Sequence, residues 1–266
     1  MNTDSKGTAL ITGASSGIGA VYADRLAKRG YDLILVARNE ERLKVISAQI
    51  TDDTGRSVES IVADLSERTG LARVEQLLRS DPSITVLVNN AGAAIIGDMA
   101  DADPDRVESM VLLNVLAPSR LVVAALPGFL ARGLGTIINI SSAAALSPER
   151  LNGSYSGTKA YLLALSLGLQ QEVAGKGVRV QVVMPGATRT AIWEKAGTDI
   201  ASLPPSVLMD LDEMVDAAIA GLDRGEQVTI PSLPDIADWE AYEAARQSLI
   251  PKLSLSSPAT RYVGAA

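Results

Sequence analysis

Tyr155 and Lys159 are the residues of this 266-residue chain whose types and spacing best suit proton transfer. They stand four positions apart in a predicted helix, so both side chains project from one face. A free tyrosine has a pKa of about 10, and a nearby ammonium group favours its phenolate form. The chain contains no histidine and no cysteine, so tyrosine, lysine or the acidic residues must supply any acid–base chemistry. The Y-x3-K spacing alone also arises by chance.

A glycine-rich loop joins the first predicted strand to the first predicted helix. The loop contains Gly13, Ser15, Ser16, Gly17, Ile18 and Gly19. Its glycines permit a tight turn and let backbone N–H groups approach a pyrophosphate at the positive end of a helix. The spacing is G-x3-G-x-G, which differs from the usual G-x-G-x-x-G dinucleotide fingerprint. The alternative interpretation is a strand-to-helix turn that binds no ligand.

Arg38 follows the second predicted strand, where an NAD site would carry an acidic residue for the ribose 2′-hydroxyl. Its planar, permanently charged side chain suits a 2′-phosphate instead. A surface ion pair with Glu41 is the alternative. Together with the glycine loop, Arg38 favours an NADP(H) site.

Further polar residues follow strands or interrupt an apolar helix. Ser141 and Ser142 end the fifth strand, Asn89–Gly92 ends the fourth, and Asn114 lies in an apolar helix. A hydroxyl at the ligand edge of a sheet could bind a carbonyl oxygen, and a buried amide needs hydrogen-bond partners. Taken alone, the serines and the Asn89–Gly92 motif are better explained as ordinary strand-end turns, whereas structural and catalytic explanations of Asn114 are equally open.

The elements that position these residues alternate regularly between strand and helix. The predicted strands are Thr8–Thr12, Asp32–Ala37, Val58–Val62, Thr85–Asn89, Thr136–Ser141, Arg179–Met184 and Gln227–Pro231. The predicted helices are Gly17–Arg29, Glu40–Ile50, Ser66–Arg79, Pro104–Arg132, Ser154–Ala174 and Leu211–Leu222. Strands that are apolar along their length favour a parallel sheet covered on both faces. We predict an α/β fold of the Rossmann type, with a doubly wound, mostly parallel seven-stranded sheet.

No flexible linker interrupts this alternation, so residues 1–266 are expected to form a single dinucleotide-binding and catalytic domain. Two segments depart from the pattern. Residues 187–205 are long for a strand-to-helix connection and form a candidate substrate loop. Residues 232–266 form a C-terminal tail.

The composition restricts the partners of the chain. The net charge of −7 argues against nucleic acid. The apolar segment Val111–Leu130 is interrupted by Asn114, Ser119 and Arg120, which favours a buried helix over a membrane span. The first residues lack the apolar stretch of a signal peptide. We therefore expect a cytoplasmic protein that binds neither membranes nor nucleic acid.

In their order and spacing, these motifs together resemble those of the single-domain short-chain dehydrogenase/reductase family. The resemblance spans nearly the whole chain and includes Pro185-Gly186 with Thr190 after the sixth strand. It implies a catalytic tetrad of Asn114, Ser142, Tyr155 and Lys159. Ser142 is preferred to Ser141 because the family's serine usually lies thirteen positions before the tyrosine, and 155 − 13 = 142.

The resemblance also implies a cofactor site for NADP(H) and no metal site. Beyond the loop residues already given, its members are Arg38, Asp64, Leu65, Asn90, Ala91, Gly92, Tyr155, Lys159, Pro185, Gly186, Thr188 and Thr190. Asp64 would meet the adenine, although an acid at a helix start explains it nearly as well. Asn90 to Gly92 would pass beside the adenosine ribose, and the residues from Pro185 onward would border the nicotinamide.

The implied activity is reduction of a ketone or aldehyde, or oxidation of the alcohol. Tyr155 would exchange the proton, Ser142 would bind the same oxygen, and Lys159 would lower the pKa of the tyrosine and hold the nicotinamide ribose. Asn114 would position a water molecule. Small apolar residues around Ala143–Leu146 suggest a nonpolar substrate, and relatives are commonly homodimers or homotetramers. The alternatives are an epimerase or dehydratase, and a non-catalytic NADP(H) sensor or scaffold.

Overall fold

Seven parallel strands form one sheet in the order β3-β2-β1-β4-β5-β6-β7 in the computed structural model, which describes residues 5–197 and 199–263. The strands are β1 (Thr8–Thr12), β2 (Asp32–Ala37), β3 (Val58–Val62), β4 (Ile84–Asn89), β5 (Gly135–Ile140), β6 (Val178–Val183) and β7 (Val228–Thr229). This topology confirms the predicted doubly wound Rossmann-type fold. Because all strands run in one direction, their carboxyl ends meet at one edge, where such sheets bind ligands.

Helices cover both faces of the sheet. In the described part of the chain the α-helices are α1 (Gly17–Lys28), α2 (Glu40–Thr54), α3 (Arg68–Ser80), α4 (Pro104–Val111), α5 (Ala117–Arg132), α6 (Gly153–Val173), α7 (Ile192–Lys195), α8 (Leu211–Asp223) and α9 (Ile236–Leu249). The fold divides into two compact units, Met1–Pro231 and Ser232–Ala266. The boundary coincides with the start of the predicted C-terminal tail.

The core consists of two apolar layers, one on each face of the sheet. Side chains of a strand alternate between its faces, and β1 shows this directly: Ala9 and Ile11 belong to one layer, and Leu10 belongs to the other. Helices α1, α2 and α8 complete the first layer, and α3, α5 and α6 complete the second.

A π-helical turn, Leu112–Leu116, interrupts the predicted long helix and separates α4 from α5. Its central residue, Asn114, is buried. Pro118 has no N–H and cannot donate the usual helical hydrogen bond to the carbonyl of Asn114. Single π-helical turns frequently occur at functional sites, so Asn114 is a candidate functional residue.

The stretch Pro104–Arg132 is long and apolar enough to cross a membrane by length and composition, with 44% of its apolar window buried. Core helices pass the same test. Within this stretch, Leu121, Val122 and Phe129 are packed in the second apolar layer. One helix of this kind is therefore weak evidence for a membrane span.

The C-terminal unit contains α9, which the sequence analysis did not predict. Asp235 caps the helix by accepting a hydrogen bond from the N–H of Ala237 at 2.9 Å. The rings of Trp239 and Tyr242 pack with their centroids 5.4 Å apart. The unit thus has local order of its own.

Candidate active site

The glycine-rich loop between β1 and α1 contains two glycines in the left-handed region. The φ angle is +67° at Gly13 and +57° at Gly17, a conformation that strains residues with a Cβ. A Cβ on Gly13 would lie 2.8 Å from Nδ2 of Asn90 and 2.9 Å from Cα of Ala91. The loop therefore needs glycine both for its conformation and for its close approach to the end of β4.

Asn90 and Thr12 hold this loop in place. Nδ2 of Asn90 donates to the carbonyl of Thr12 at 2.8 Å and to that of Gly13 at 3.3 Å. Oγ1 of Thr12 accepts from the N–H groups of Asn90 and Ala91 at 2.9 and 3.0 Å. Asn90 was predicted beside a ribose, but its side chain braces the glycine loop. The sequence analysis missed this bracing role and the part played by Thr12.

The amino end of α1 suits an anion. Ser16 precedes the first helical turn in an extended conformation, and its side chain makes no capping hydrogen bond. The first turn of α1 carries no acidic residue, so no carboxylate there opposes the positive helix end. Ile18 packs against the core, which leaves its backbone N–H as the group available to a ligand, and Ser15 is partly buried in the same loop. A pyrophosphate fits this arrangement.

We expect Gly19→Ala to weaken NADPH binding by about tenfold or more, since overpacking of this size displaces the surrounding backbone. A Cβ on Gly19 would lie 2.5 Å from Nδ2 of Asn90 and 2.6 Å from the carbonyl oxygen of Gly13. The measurement is NADPH fluorescence on titration with protein. Gly157→Ala is the control, because a Cβ on this helical glycine meets no atom within 4 Å. Equal affinities for the two variants would contradict the prediction.

Arg38 lies at the end of β2 and pairs with Asp64, which follows β3. Nη1 of Arg38 is 3.3 Å from Oδ2 of Asp64, and the arginine side chain is 71% exposed. Burial raises the pKa of Asp64, but hydrogen bonds from Ser66 and Arg38 outweigh it and hold the pKa below its usual value. The alternative partner, Glu41, is paired with Lys44 instead. Arg38 is thus placed at the ligand edge with its charge in contact with solvent.

Two other predicted cofactor residues would meet a ligand through their backbone: Leu65 is buried, and Gly92 is exposed and has no side chain. Leu65 is buried in the second apolar layer, so a ligand would meet its backbone. A Cβ on Gly92 would lie 3.2 Å from Oδ1 of Asn114 and 3.6 Å from Nζ of Lys159. Gly92 therefore marks the point where the end of β4 meets the candidate catalytic residues.

Ser141 and Ser142 follow β5 and have different surroundings. Ser141 is buried, and its Oγ donates to the carbonyl of Lys159 at 2.7 Å, which fastens α6 to the sheet. Ser142 is partly buried, and its Oγ accepts from the N–H of Ala144 at 3.1 Å. The Ser142 hydroxyl lies near the phenol of Tyr155 and lowers the pKa of that phenol. Ser142 is thus the serine that faces the tyrosine.

Tyr155 lies in the first turn of α6 and is partly buried. Burial raises the pKa of its phenol, and the hydrogen bond with Ser142 opposes part of that rise. The phenol is therefore protonated at neutral pH, as a proton donor must be. Lys159 was expected to lower this pKa, but the net shift is upward. Nζ of Lys159 lies 5.9 Å from the centroid of the ring and donates to the carbonyl of Ile140 at 3.0 Å.

Lys159 lies one turn further along α6 and is only 6% exposed. Its burial lowers the pKa of the ammonium group from 10.5 to about 8. Desolvation penalises the charged form of a lysine in this position. In the cofactor-free protein Lys159 therefore changes its charge within about one pH unit of neutrality.

This lowered pKa predicts that the cofactor-free protein becomes more stable as the pH rises. Between about pH 8 and the unfolded value, the unfolded chain keeps the Lys159 proton that the folded protein has released, so the free energy of unfolding increases. From about pH 7 to about pH 9.5 we expect a gain on the order of 1–2 kcal/mol from this group. Urea unfolding of wild type and of Lys159→Met at both pH values measures it. The rise should be smaller in the variant by that amount; identical pH profiles would contradict the burial of a titrating lysine.

Asn114 joins three parts of the site. Its Oδ1 accepts from the N–H of Ala93 at 2.9 Å, and its Nδ2 donates to the carbonyl of Ala93 at 2.8 Å. Nδ2 also donates to Oγ1 of Thr158 at 3.0 Å. The side-chain amide therefore fixes the loop after β4 against α6. Any water that Asn114 positions would have to meet its backbone carbonyl, which lacks the usual helical donor.

Thr158 is a residue of the site that the sequence analysis missed. It is buried, and its Oγ1 donates to the carbonyl of Tyr155 at 2.7 Å while accepting from Asn114. The available signal was its place one residue before Lys159, on the helix face that also carries the tyrosine. Thr158 connects the π-helical turn to the first turn of α6.

The segment after β6 closes the site on the side opposite β4. The carbonyl of Pro185 accepts from the N–H of Ala143 at 2.8 Å, which joins this segment to the Ser142 turn. Thr188 is buried, and its Oγ1 donates to the carbonyl of Gly186 at 3.2 Å. Cγ2 of Thr190 would lie 3.7 Å from a Cβ on Gly17. Thr190 therefore approaches the glycine loop closely at the start of α1.

The predicted substrate loop, residues 187–205, contains the short helix α7 and is anchored at its base. Nε1 of Trp193 donates to the carbonyl of Thr188 at 2.8 Å. Backbone hydrogen bonds link Met209 to Ala187 and to Arg189. Residue 198 of this loop lies outside the described residues.

Comparison with known proteins agrees with the family resemblance of the sequence motifs. The family model for short chain dehydrogenases matches residues 7–201. The structure of a short-chain dehydrogenase from Sphingobium yanoikuyae in complex with NADPH has a TM-score of 0.93 and 46% sequence identity, and the match covers 96% of this chain and 100% of that one. The bulky-bulky ketone specific alcohol dehydrogenase from Comamonas testosteroni has a TM-score of 0.89 and 42% identity, covering 97% of this chain and 98% of that one.

Among longer relatives, the inactive hydroxysteroid dehydrogenase-like protein 1 of Homo sapiens is 34% identical over 186 residues, which cover 69% of this chain and 56% of that protein. This chain thus spans little more than half the length of that relative. The family model nevertheless matches most of the chain and includes the glycine loop and the Y-x3-K pair. The chain therefore belongs to the short-chain dehydrogenase/reductase family.

Proposed function

We propose that this chain is an NADP(H)-dependent oxidoreductase that reduces a nonpolar ketone or aldehyde, or oxidises the corresponding alcohol. The observation that carries the proposal is the meeting of Ser142, Tyr155 and Lys159 at the carboxyl edge of the sheet, beside the glycine loop. The Ser142 hydroxyl lowers the pKa of the phenol, and the buried ammonium group of Lys159 lies 5.9 Å from the centroid of the tyrosine ring. Such a group of residues is unnecessary for binding a nucleotide alone.

In the proposed reaction the protein's own residues manage charge on the substrate oxygen. When bound, NADPH supplies the hydride. The protonated phenol of Tyr155 donates its proton to the oxygen as negative charge develops there, and the Ser142 hydroxyl gives the same oxygen a second hydrogen bond. The buried ammonium group of Lys159 places positive charge near the phenolate that is left. Alcohol oxidation uses the same groups in reverse.

The residues present fit an NADP(H) cofactor. Gly13 and Gly19 let the loop pack closely against the end of β4, the first turn of α1 lacks acidic side chains, and Arg38 offers an exposed guanidinium. Gly92 and Thr190 would border the cofactor further along the sheet edge. The NADPH complex of the Sphingobium yanoikuyae relative supports this assignment.

The choice of NADP(H) over NAD(H) is expected to depend on Arg38. Arg38→Ala should weaken NADPH binding by about 10- to 100-fold, the usual worth of a charge-assisted hydrogen-bond pair, because the 2′-phosphate loses its counter-charge. NADH lacks that phosphate, so its affinity should stay close to the wild-type value. Titration calorimetry with both nucleotides measures the two effects. Equal losses for NADPH and NADH would reject the phosphate role of Arg38.

A nonpolar substrate is supported by the residues near the candidate tetrad. The turn after Ser142 consists of Ala143, Ala144, Ala145 and Leu146, and small apolar side chains leave space for bulky apolar substituents. The relative from Comamonas testosteroni acts, by its name, on bulky-bulky ketones. NADPH oxidation across a panel that runs from aryl ketones to charged keto acids tests the proposal. Efficient turnover of the charged compounds alone would overturn the nonpolar assignment.

A non-catalytic NADP(H)-binding role is the second candidate. It is favoured by the human relative that is named inactive. The same panel separates the two functions, because a sensor would bind NADPH without oxidising it in the presence of any carbonyl compound.

Homo-oligomer formation stays a prediction, supported by exposed apolar side chains on α4 to α6 such as Val111, Val123 and Tyr161.

A further inference from the structure

Arg38 and Asp64 bridge the ends of two neighbouring strands. Strands β2 and β3 are parallel partners with Ala37 opposite Val62, and the N–H of Ala63 donates to the carbonyl of Ala37 at 3.0 Å. This register brings the residues that follow each strand side by side. The carboxylate of Asp64 therefore lies next to the guanidinium to which the proposed function assigns the 2′-phosphate.

The two oxygens of Asp64 have different partners. Oδ1 accepts from the N–H and the hydroxyl of Ser66 at 2.9 and 2.6 Å, which fixes the carboxylate at the start of the β3-to-α3 turn. Oδ2 receives a single contact from Nη1 of Arg38 at 3.3 Å. Asp64 is thus held rigidly while the more exposed Arg38 is held by one long contact.

We propose that Asp64 competes with the 2′-phosphate for Arg38, and thereby limits the preference for NADP(H) over NAD(H). A phosphate monoester carries about −1.5 to −2 charges at neutral pH, so it meets repulsion from a carboxylate that contacts the same guanidinium. A ribose 2′-hydroxyl carries no charge, so it meets no such repulsion from the Asp64 carboxylate. Asp64 therefore disfavours the phosphorylated ribose and tolerates the free one.

The inference rests on the proposed NADP(H) dependence, and two fragments test it without the catalytic groups. Adenosine 2′,5′-bisphosphate and adenosine 5′-monophosphate differ only in the 2′-phosphate and both lack the nicotinamide. Asp64→Asn keeps an acceptor oxygen for Ser66 and removes the charge. Titration calorimetry should show adenosine 2′,5′-bisphosphate binding about three- to fivefold tighter to Asp64→Asn than to wild type, the size expected for an exposed pair. Both fragments carry the adenine that Asp64 is expected to meet, so adenosine 5′-monophosphate reports any change in that contact, and only the bisphosphate should gain affinity.

Two further variants make the test specific. Glu41→Gln removes a carboxylate that is paired with Lys44 rather than with Arg38, so it should leave both affinities unchanged. When Arg38 is already replaced by alanine, Asp64→Asn should increase the affinity for adenosine 2′,5′-bisphosphate less than it does in the wild-type background. The reason is that no guanidinium is left for the carboxylate and the phosphate to compete for. A matching gain in Glu41→Gln would indicate a general charge effect and would overturn the proposal.

The remaining outcomes are also decisive. Unchanged binding of the bisphosphate to Asp64→Asn would show that the carboxylate does not compete. Weaker binding would show that Asp64 orients Arg38 for the phosphate, and this too overturns the proposal. If wild type binds both fragments equally and Arg38→Ala has no effect, the NADP(H) assignment itself fails. The last pattern involves no change at Asp64, so the two failures are distinguishable.

Discussion

Tyr155→Phe is expected to lower kcat for carbonyl reduction by about 10³- to 10⁴-fold, near the upper range for loss of a general acid. Phenylalanine keeps the ring and removes only the hydroxyl, so the substrate oxygen loses its proton donor while the packing of α6 is retained. Burial keeps the phenol protonated at neutral pH, so wild type holds a proton ready for transfer. NADPH affinity should remain close to wild type, because the glycine loop and Arg38 are untouched.

Single-turnover kinetics with NADPH and a ketone found active in the panel would measure this loss, with binding followed separately by NADPH fluorescence. Tyr161→Phe is the matched control: it lies on the same helix, and its hydroxyl hydrogen-bonds with Ser119 at 2.9 Å, away from Ser142. The control should retain wild-type kcat. A Tyr155→Phe enzyme with kcat within tenfold of wild type (about 1.4 kcal/mol) would contradict a role as proton donor.

Ser142→Ala is expected to lower kcat by about 10²- to 10³-fold, as removal of one oxyanion donor typically does. The hydroxyl of Ser142 faces the phenol of Tyr155, so both would bind the oxygen on which charge develops. Because that interaction strengthens in the transition state, kcat should fall more than KM rises. Steady-state kinetics over a range of ketone concentrations provide both constants.

Ser141→Ala is the control for this prediction, since Ser141 is the neighbouring serine with a structural contact. Its hydroxyl donates to the carbonyl of Lys159, and the loss of a buried hydrogen bond costs about 1 kcal/mol of stability. We expect a lower Tm and a much smaller loss of kcat than in Ser142→Ala. The reverse order of kcat losses would assign the oxyanion contact to Ser141 and contradict the present assignment.

Much of the fold could be predicted because hydrophobic pattern and turn residues agree. The bounds of β1, β2 and β3 are those predicted; β1 and β2 are mostly apolar and are followed directly by Gly13 and Arg38. Strands β5 and β6 each begin and end one residue earlier than predicted. Their backbone hydrogen bonds nevertheless continue through the N–H groups of Ser141 and Met184, so the last residue assigned to each strand depends on how a strand end is defined. The predicted fold class did not depend on these ends.

The interruption of the long helix was missed, although Pro118 signals it. The periodicity of apolar residues over 104–132 predicts a continuous helix, because it does not register the backbone N–H that Pro118 lacks. Helix α9 was missed for another reason: it lies in a tail with no alternation to place it. Asp235 and the acidic residues near its start are the capping pattern that could have revealed it.

The candidate tetrad could be located from the sequence, but the contacts within it could not. Motif spacing placed Ser142, Tyr155 and Lys159 on elements that meet at one edge. It did not indicate that the Asn114 amide bonds to the backbone of Ala93, or that Lys159 bonds to the carbonyl of Ile140. These partners are far apart in sequence, and their pairing depends on how the π-helical turn and β5 pack against α6.

Hydride transfer to a carbonyl carbon can be followed directly with an isotope. Wild-type protein is incubated with an aryl ketone and NADPH that carries deuterium at both C4 positions of the nicotinamide, and the alcohol is analysed by mass spectrometry. We predict deuterium on the former carbonyl carbon, and none above background with Tyr155→Phe over the same time. If NADPH binds to the wild-type protein but transfers no deuterium to any ketone or aldehyde of a broad panel, the protein does not catalyse hydride transfer to a carbonyl carbon.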